Sequence, residues 1–437
     1  MTGQDNGAVR RVLWAELLPW LLLIRCFRIA LQVRWIIAGA AGMVLTLAGW
    51  ALISWLFWSP GELGDSFHAA RCPWLEAGRV VPDFYPLPAD KRQAERSSGE
   101  TTPAAPAGPE TRPAGQSALQ GFFKEVLHWE HISAGWIVVA RPFLWMFDRD
   151  IVFRDFVGLL LLGVWSLVVW SFFGGAINRG AVYELATQER LGLGRVIRFL
   201  KEKWLWYLAG PVIPLLGVLA VGVPVMVLGL FLRFSVGVVL AALFWPLALA
   251  AGFVLALLIV GLVLGWPLLW SGISAEGSDG YDAIGRAYNY TYQRPVHYLF
   301  YAVVAGVLGT LGWLLVASLV GAIVYMTYWA ASWGGGLATV RELATPSAIG
   351  SVREFGAAVI RFWTQCVKLA GAGFLVSYFW TAAAGVYLLL RRDCDATELE
   401  EVYVEEEPEP LPAPTPSPGT ESPAPASPPE AKPEEQE

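Results

Sequence analysis

The long apolar runs of this 437-residue chain lack ionisable side chains: its 31 Lys and Arg, 37 Asp and Glu and four His all fall outside the stretches able to cross a bilayer. Proton relays, ion pathways and voltage sensors need charge within the bundle, because the driving force acts on it there. The absence argues against a proton-coupled or ion-coupled pump and leaves open a channel for a neutral substrate. Cysteine is scarce as well. Cys26, Cys72, Cys366 and Cys394 are scattered without a CxxC spacing, so neither a zinc site nor a disulfide framework is indicated. No Walker glycine loop, GxSxG elbow or phosphodiesterase-like histidine motif occurs. His128 and His131 share a helix face but lack the HExxH spacing and a third ligand, and read as interfacial histidines. The acidic groups Glu276, Asp279 and Asp282, and Asp393, Asp395, Glu398, Glu400 and Glu401, read as loop, cap and solvated helix start. The chain therefore names no catalytic residue, metal, cofactor or nucleic-acid partner.

What is abundant is oil. Apolar residues make up 55% of the chain and charged residues 16%, and the mean hydropathy is +0.49, which is the composition of an integral membrane protein. The 22 tryptophans gather near the ends of apolar runs, where an amphipathic indole is at home. Spans are predicted at 35–58, 156–177 and 205–232, within 235–271, within 298–331, and at 369–390. Pro211, Pro214 and Pro224 predict a kinked third span. The fourth lies in an uncharged stretch that would reach about 55 Å as one helix, and with no polar break it reads as a single span. The fold class is all-α: a polytopic helical membrane bundle of about six transmembrane spans with amphipathic interfacial helices.

The segments between spans carry their own pattern. Residues 1–34 hold Arg25, Arg28 and Arg34 opposite an apolar stripe of Ile24, Phe27, Leu31 and Trp35. Arg195, Arg198 and Lys203 lie beside the stripe Leu193, Val196, Ile197, Leu200 and Trp204. Asp279 can cap a helix over 280–293, with Pro295 ending it, that places Tyr281, Ile284, Tyr288 and Tyr292 on one face and Asp282 and Arg286 at i,i+4 on another. Arg294 follows it. A fourth such helix begins at the capping box Ser351 to Glu354. Each predicts a helix lying at headgroup level, its basic residues against anionic lipid. Arg25, Arg28, Arg34, Arg195, Arg198, Lys203, Arg286, Tyr288, Tyr292 and Arg294 are the candidate interfacial contacts.

The polar regions complete the plan. Residues 59–155 form a long loop with a Pro-, Ala- and Gly-rich centre at 97–118, read as disordered, and an aromatic part at 119–150 suited to the interface. Fourteen acidic residues lie in 391–437, which is read as an acidic, Pro-rich disordered tail with a short capped helix at Thr397 to Glu400. The body is mildly basic. Positive charge places 1–34, 178–204, 272–297 and 391–437 on the cytoplasmic side of an inner membrane, with both termini inside. Residues 331–368 then fall outside despite Arg353, Arg361 and Lys368, unless the fifth span is re-entrant.

The stretches EGSDGYDAIGRAYNYTYQRPVHYLFY, from Glu276 to Tyr301, and FLVSYFWTAAAGVYLLLRRDCDATELEEVY, from Phe374 to Tyr403, resemble a group of uncharacterised multi-spanning membrane proteins common in planctomycete bacteria. The plan of acidic turn, Arg-bearing amphipathic helix and span is more distantly similar to the six-span membrane domain fused to some glycerophosphodiester phosphodiesterases, whose catalytic barrel has no counterpart here. The resemblance implies a fold and a location but no activity. The reading is a non-enzymatic membrane-organising protein whose partners are lipids and other membrane proteins, in an unspecified oligomeric state. The alternative is a permease or channel for a neutral or lipid-like substrate. A polar cavity reaching the midplane would favour the permease, and a bundle packed solid would favour the organiser.

Overall fold

A computed structural model describes residues 18–58, 145–146, 151–344 and 352–404. These contain nine α-helices and a single 3₁₀ turn at Pro19–Leu21. The chain-order helices are α1 (Leu22–Ala30), α2 (Val33–Phe57), α3 (Phe153–Thr187), α4 (Leu193–Phe231), α5 (Ser235–Glu276), α6 (Gly280–Gln293), α7 (Pro295–Gly335), α8 (Leu337–Ala344) and α9 (Val352–Asp395). Six of them, α2, α3, α4, α5, α7 and α9, are long and apolar enough to cross a membrane. The protein is an all-α polytopic bundle. The 59–144 part of the loop, His128 and His131, and the tail beyond residue 404 lie outside the described residues.

The helix boundaries have local causes. Gly277 adopts a left-handed backbone with φ of 60° and closes α5, its N–H returning to the Ile273 carbonyl. Asp279 then caps α6, its carboxylate accepting the Asp282 N–H at 3.0 Å. Pro295 opens α7 at the first helical position, where a missing N–H costs nothing. Gln32 takes an extended backbone between α1 and α2 and makes an elbow there.

Two expected surface helices are not separate elements. The basic stripe at 193–204 is the first third of α4, and the stripe at 352–362 is the start of α9. Nothing at the junctions breaks a helix, so the amphipathic turns and the span propagate as one rod. These rods are long: α4, α5, α7 and α9 have 39, 42, 41 and 44 residues, or about 58 to 66 Å against a hydrocarbon core of about 30 Å. They project beyond the bilayer or tilt strongly. The prolines of α4 and α5, three and two of them, sit inside continuous helices.

Helix α9 is the central post, packed by α1, α2, α3, α5, α6 and α7. Its sequence allows this through small residues. Gly373 faces Gly39 of α2 so closely that a Cβ on Gly373 would stand 2.3 Å from the Ile36 carbonyl oxygen. Elsewhere the gaps beside glycines are filled by rings: Trp35 against Gly180, Trp165 against Gly49, Tyr378 against Gly309, and Trp270 with Trp380 against Gly174. Trp270 and Trp380 stack with centroids 4.5 Å apart. By contrast α4 and α5 form a hairpin whose outer halves expose Leu216, Met226, Leu243, Leu247 and Phe253. Such a surface suits lipid tails.

Contacts also settle how the rods alternate. Tyr301 near the start of α7 meets Asp393 near the end of α9 at 2.7 Å, and Tyr328 further along α7 meets Thr364 of α9 at 3.0 Å. The two helices are therefore antiparallel, and α7 crosses without turning back. Residues 337–344 and 352–364 stand at the opposite end from Asp393, where Arg353 pairs with Glu342 and Arg361 donates to the Leu343 carbonyl. The re-entrant alternative is thereby removed.

Candidate functional site

Four segments distant in sequence meet at one end of the bundle: the α1–α2 elbow, the α3–α4 junction, the α5–α6 junction and the end of α9. They are the segments that the charge count groups on one side. Their polar residues form two arrangements, one closed and one open.

The closed arrangement centres on Glu276, the last residue of α5. Its carboxylate accepts from Arg286 at 2.8 Å and from the Tyr387 hydroxyl at 3.0 Å. Arg391 places Nε 3.2 Å from it, an ion pair too oblique to count as a hydrogen bond. Arg286 also reaches Asp282 at 3.1 Å and lies 3.8 Å from Asp395, whose carboxylate accepts from Tyr290. Burial works against the Arg286 charge, but Glu276 and Asp282 outweigh it and hold the guanidinium more firmly protonated than usual. The Tyr290 phenol is held protonated by burial and by the Asp395 carboxylate. Helices α5, α6 and α9 are thus tied by one network.

Beside it, Arg179 is only 2% exposed although it lies on α3 next to the predicted end of the second span. It donates to the Ser274 carbonyl at 2.6 Å and the Tyr403 carbonyl at 2.9 Å, and its guanidinium lies 4.2 Å from the Phe199 ring centroid. The Tyr403 N–H returns to the Ala275 carbonyl at 2.7 Å. Residues 391–395 therefore continue α9, and Tyr403 is seated on the bundle. Thr397 to Glu400 form no helix, only a turn at Leu399 and Glu400. Arg179, Glu184, Lys368 and Arg391 lie just beyond the predicted spans and are buried in protein, on helices that outrun those spans.

The open arrangement is a cleft of about 530 Å³ lined by Arg28, Leu31, Gln32, Val33, Arg34 and Arg190. Arg34 is fixed in its wall. It donates to Gln32 Oε1 at 2.8 Å, to the Leu191 carbonyl at 2.6 Å and to Glu184 at 3.1 Å, while Gln32 Nε2 holds the same carboxylate at 2.6 Å. These bonds pin the α3–α4 loop onto the elbow. Arg28 and Arg190 have no acidic partner among the described residues.

The predicted interfacial residues divide accordingly. Arg28 and Arg34 come together in the cleft, with Arg25 half-buried on the same short helix. Arg195 and Arg198 are exposed on α4, Lys203 is half-buried, and Arg294 is exposed at the α6–α7 joint. Arg286 is spent in the closed network. Helix α6 does not lie alone on a surface: it folds back along α5, where Tyr288 donates to the Leu258 carbonyl at 2.8 Å and Tyr292 to that of Leu257. Its best-buried face is Ala283, Ala287, Tyr290 and Thr291, while Tyr281 is exposed. On α1 the buried face is likewise Leu22, Leu23, Cys26 and Ile29, not the stripe that includes Ile24 and Leu31. Each expected stripe is buried only in part, since Phe27, Trp35 and Ile284 pack on the core while Ile24, Leu31 and Tyr281 are exposed, because a helix packed on several neighbours buries more than one face.

Sequence reasoning missed Gln32, Arg179, Glu184, Arg190 and Arg391 as partners. For Arg179 and Arg391 a signal existed, since each follows a span by one or two residues and an arginine there can turn inward. No local signal joins Gln32 to Glu184. Among the described residues no group of His, Cys, Asp and Glu stands close enough to hold a metal ion. No family model, curated protein or solved structure matches the chain.

Proposed function

We propose that this integral membrane protein is a non-enzymatic organiser of lipids or neighbouring membrane proteins in a bacterial inner membrane, working through its basic end, which faces the cytoplasm. The observation that carries the reading is the contrast between a solid interior and a charged, partly open end. Glycine-to-aromatic packing around α9 fills the bundle where a permease would need a polar route, and the Glu276 network closes on itself. Arg28, Arg190, Arg195 and Arg198 are instead exposed at that end, where about 1 kcal/mol of attraction to an anionic surface is expected for each. The resemblance to planctomycete membrane proteins fits this setting and adds no reaction.

Purification in mild detergent followed by mass spectrometry of co-purifying lipids and proteins tests the reading. Enrichment of anionic lipid over the host membrane is expected; host-like lipid together with solute flux in proteoliposomes would replace the organiser with the permease. Orientation is read separately in a Cys72→Ser background. Cys366 should react with an impermeant thiol reagent in intact spheroplasts and Cys394 only in inverted vesicles, and the reverse pattern would turn the protein over.

A further inference from the structure

We infer that the cleft at the α1–α2 elbow is a specific site for the phosphate headgroup of an anionic phospholipid, one carrying two negative charges. The inference rests on the organiser reading and sharpens it from a basic surface to an address. Three arginines, Arg28, Arg34 and Arg190, line one concavity of about 530 Å³, a volume that suits a small ligand. Among the described residues only Arg34 has an acidic partner, Glu184 at 3.1 Å. That leaves two further arginines, Arg28 and Arg190, on the same concavity, and an arginine fork is the side chain best matched to phosphate oxygens.

The walls are preorganised. Arg34 is held by three partners, and its bond to Leu191 fixes the loop that carries Arg190. Glu184, 4% exposed, is occupied by Gln32 and Arg34 and presents no open carboxylate to repel an anion. The first turn of α2 opens into the cleft through Val33 and Arg34 and has no side-chain cap, so the positive end of a 25-residue helix adds to the field.

The surroundings favour lipid over a soluble phosphate. Leu31 sits on the rim, and Val33 and Ile37, one turn apart on α2, are 70% and 61% exposed. They start an apolar track that leads from the basic cleft onto the span. A free phosphate gains nothing from such a track; an acyl chain attached to the phosphate does.

The test uses the full chain in zwitterionic nanodiscs with traces of phosphatidic acid, whose phosphomonoester carries the two charges, and phosphatidylglycerol as the single-charge comparison. Wild type should retain phosphatidic acid preferentially. Arg28→Gln with Arg190→Gln should weaken that retention about thirty-fold, from the loss of two surface guanidinium contacts. Arg195→Gln with Arg198→Gln removes the same charge from the exposed face of α4 and should weaken phosphatidic acid and phosphatidylglycerol alike, leaving the preference for phosphatidic acid within about two-fold. Matching melting temperatures exclude misfolding, and Arg28→Lys with Arg190→Lys, which keeps charge on unaltered backbone, should recover much of the preference. Equal loss of that preference in the two double glutamine variants would overturn the cleft while leaving the organiser reading intact. A wild type without any preference for anionic lipid would overturn both. If millimolar inorganic phosphate or pyrophosphate raises the melting temperature of delipidated wild type but not of the cleft variant, the ligand is soluble and the lipid assignment falls.

Discussion

Glu276 shows what a single side chain holds in this protein. Its carboxylate is the common acceptor for residues of α6 and α9, and its own helix ends there, capped by Gly277. Removing the charge leaves Arg391, 8% exposed, beside a neutral amide, and breaking a buried pair from one side costs about 3 kcal/mol or more. Glu276→Gln should therefore lower the detergent melting temperature sharply, whereas Asp282→Asn, at the half-exposed edge of the network, should cost little. Equal small effects would show that water reaches the network. Tyr288 gives a pH test. Burial, aided by Tyr292, pushes its phenol up to about 12 in the folded protein, while an unfolded tyrosine ionises near pH 10. The folded state's advantage is then complete below about pH 10 and is lost as the pH climbs towards 12. Wild type should lose melting temperature across that interval, and Tyr288→Phe should lose it less steeply. Parallel curves would mean that the phenol is not docked against α5.

At the scale of elements, the crossing of α2 and α9 depends on the absence of side chains. The ideal Cβ of residue 373 meets backbone on α2, at 2.3 Å from the Ile36 oxygen and 3.0 Å from the Ala40 nitrogen, so no rotamer change can make room. Gly373→Ala should force the helices apart, at about 1 to 3 kcal/mol for an overpacked contact. Gly217 on α4 has only Leu258, at 3.8 Å, near its Cβ position. Gly217→Ala should be neutral or mildly stabilising, since alanine is the better helix former. Folding yield and melting temperature of the pair separate close helix approach from a general sensitivity of glycine positions. If Gly373→Ala behaves like Gly217→Ala, α2 and α9 are not in backbone contact.

For the whole molecule, the compact unit closes at Tyr403. Ending the chain after residue 404 should leave the melting temperature unchanged. Ending it after Asp395 removes the Tyr403 carbonyl from Arg179 and the Tyr403 N–H from the Ala275 carbonyl, and should lower it by several degrees, since a lost hydrogen bond to a charged group costs about 1.5 to 3 kcal/mol. Equal stability of the two truncations would show that the seat of Tyr403 adds nothing.

The sequence by itself determined the class of molecule and the number of rods, while contacts between α7 and α9 decided that α7 does not turn back. Class and number follow from run length, from hydropathy and from where charge is placed, which are properties of one segment at a time. The sequence also determined the Asp279 cap and the end of α6 at Gln293, ahead of Pro295, because caps and prolines act within a turn. It did not determine where helices stop being surface and become span, since the same 3.6-residue period runs through Lys203 to Leu205 and through Lys368 to Leu369 without a mark. Nor could it join Gln32 and Arg34 to Glu184, or Glu276 to Arg391. Partners more than a hundred residues apart leave no local pattern, and whether an arginine faces lipid, water or a carboxylate depends on which neighbouring helix fills the space beside it. Tertiary packing decided that Arg286 is consumed inside a network while Arg28 and Arg190 remain open in a cleft, and the same packing turned small residues such as Ala283 and Ala287 inward in place of Tyr281.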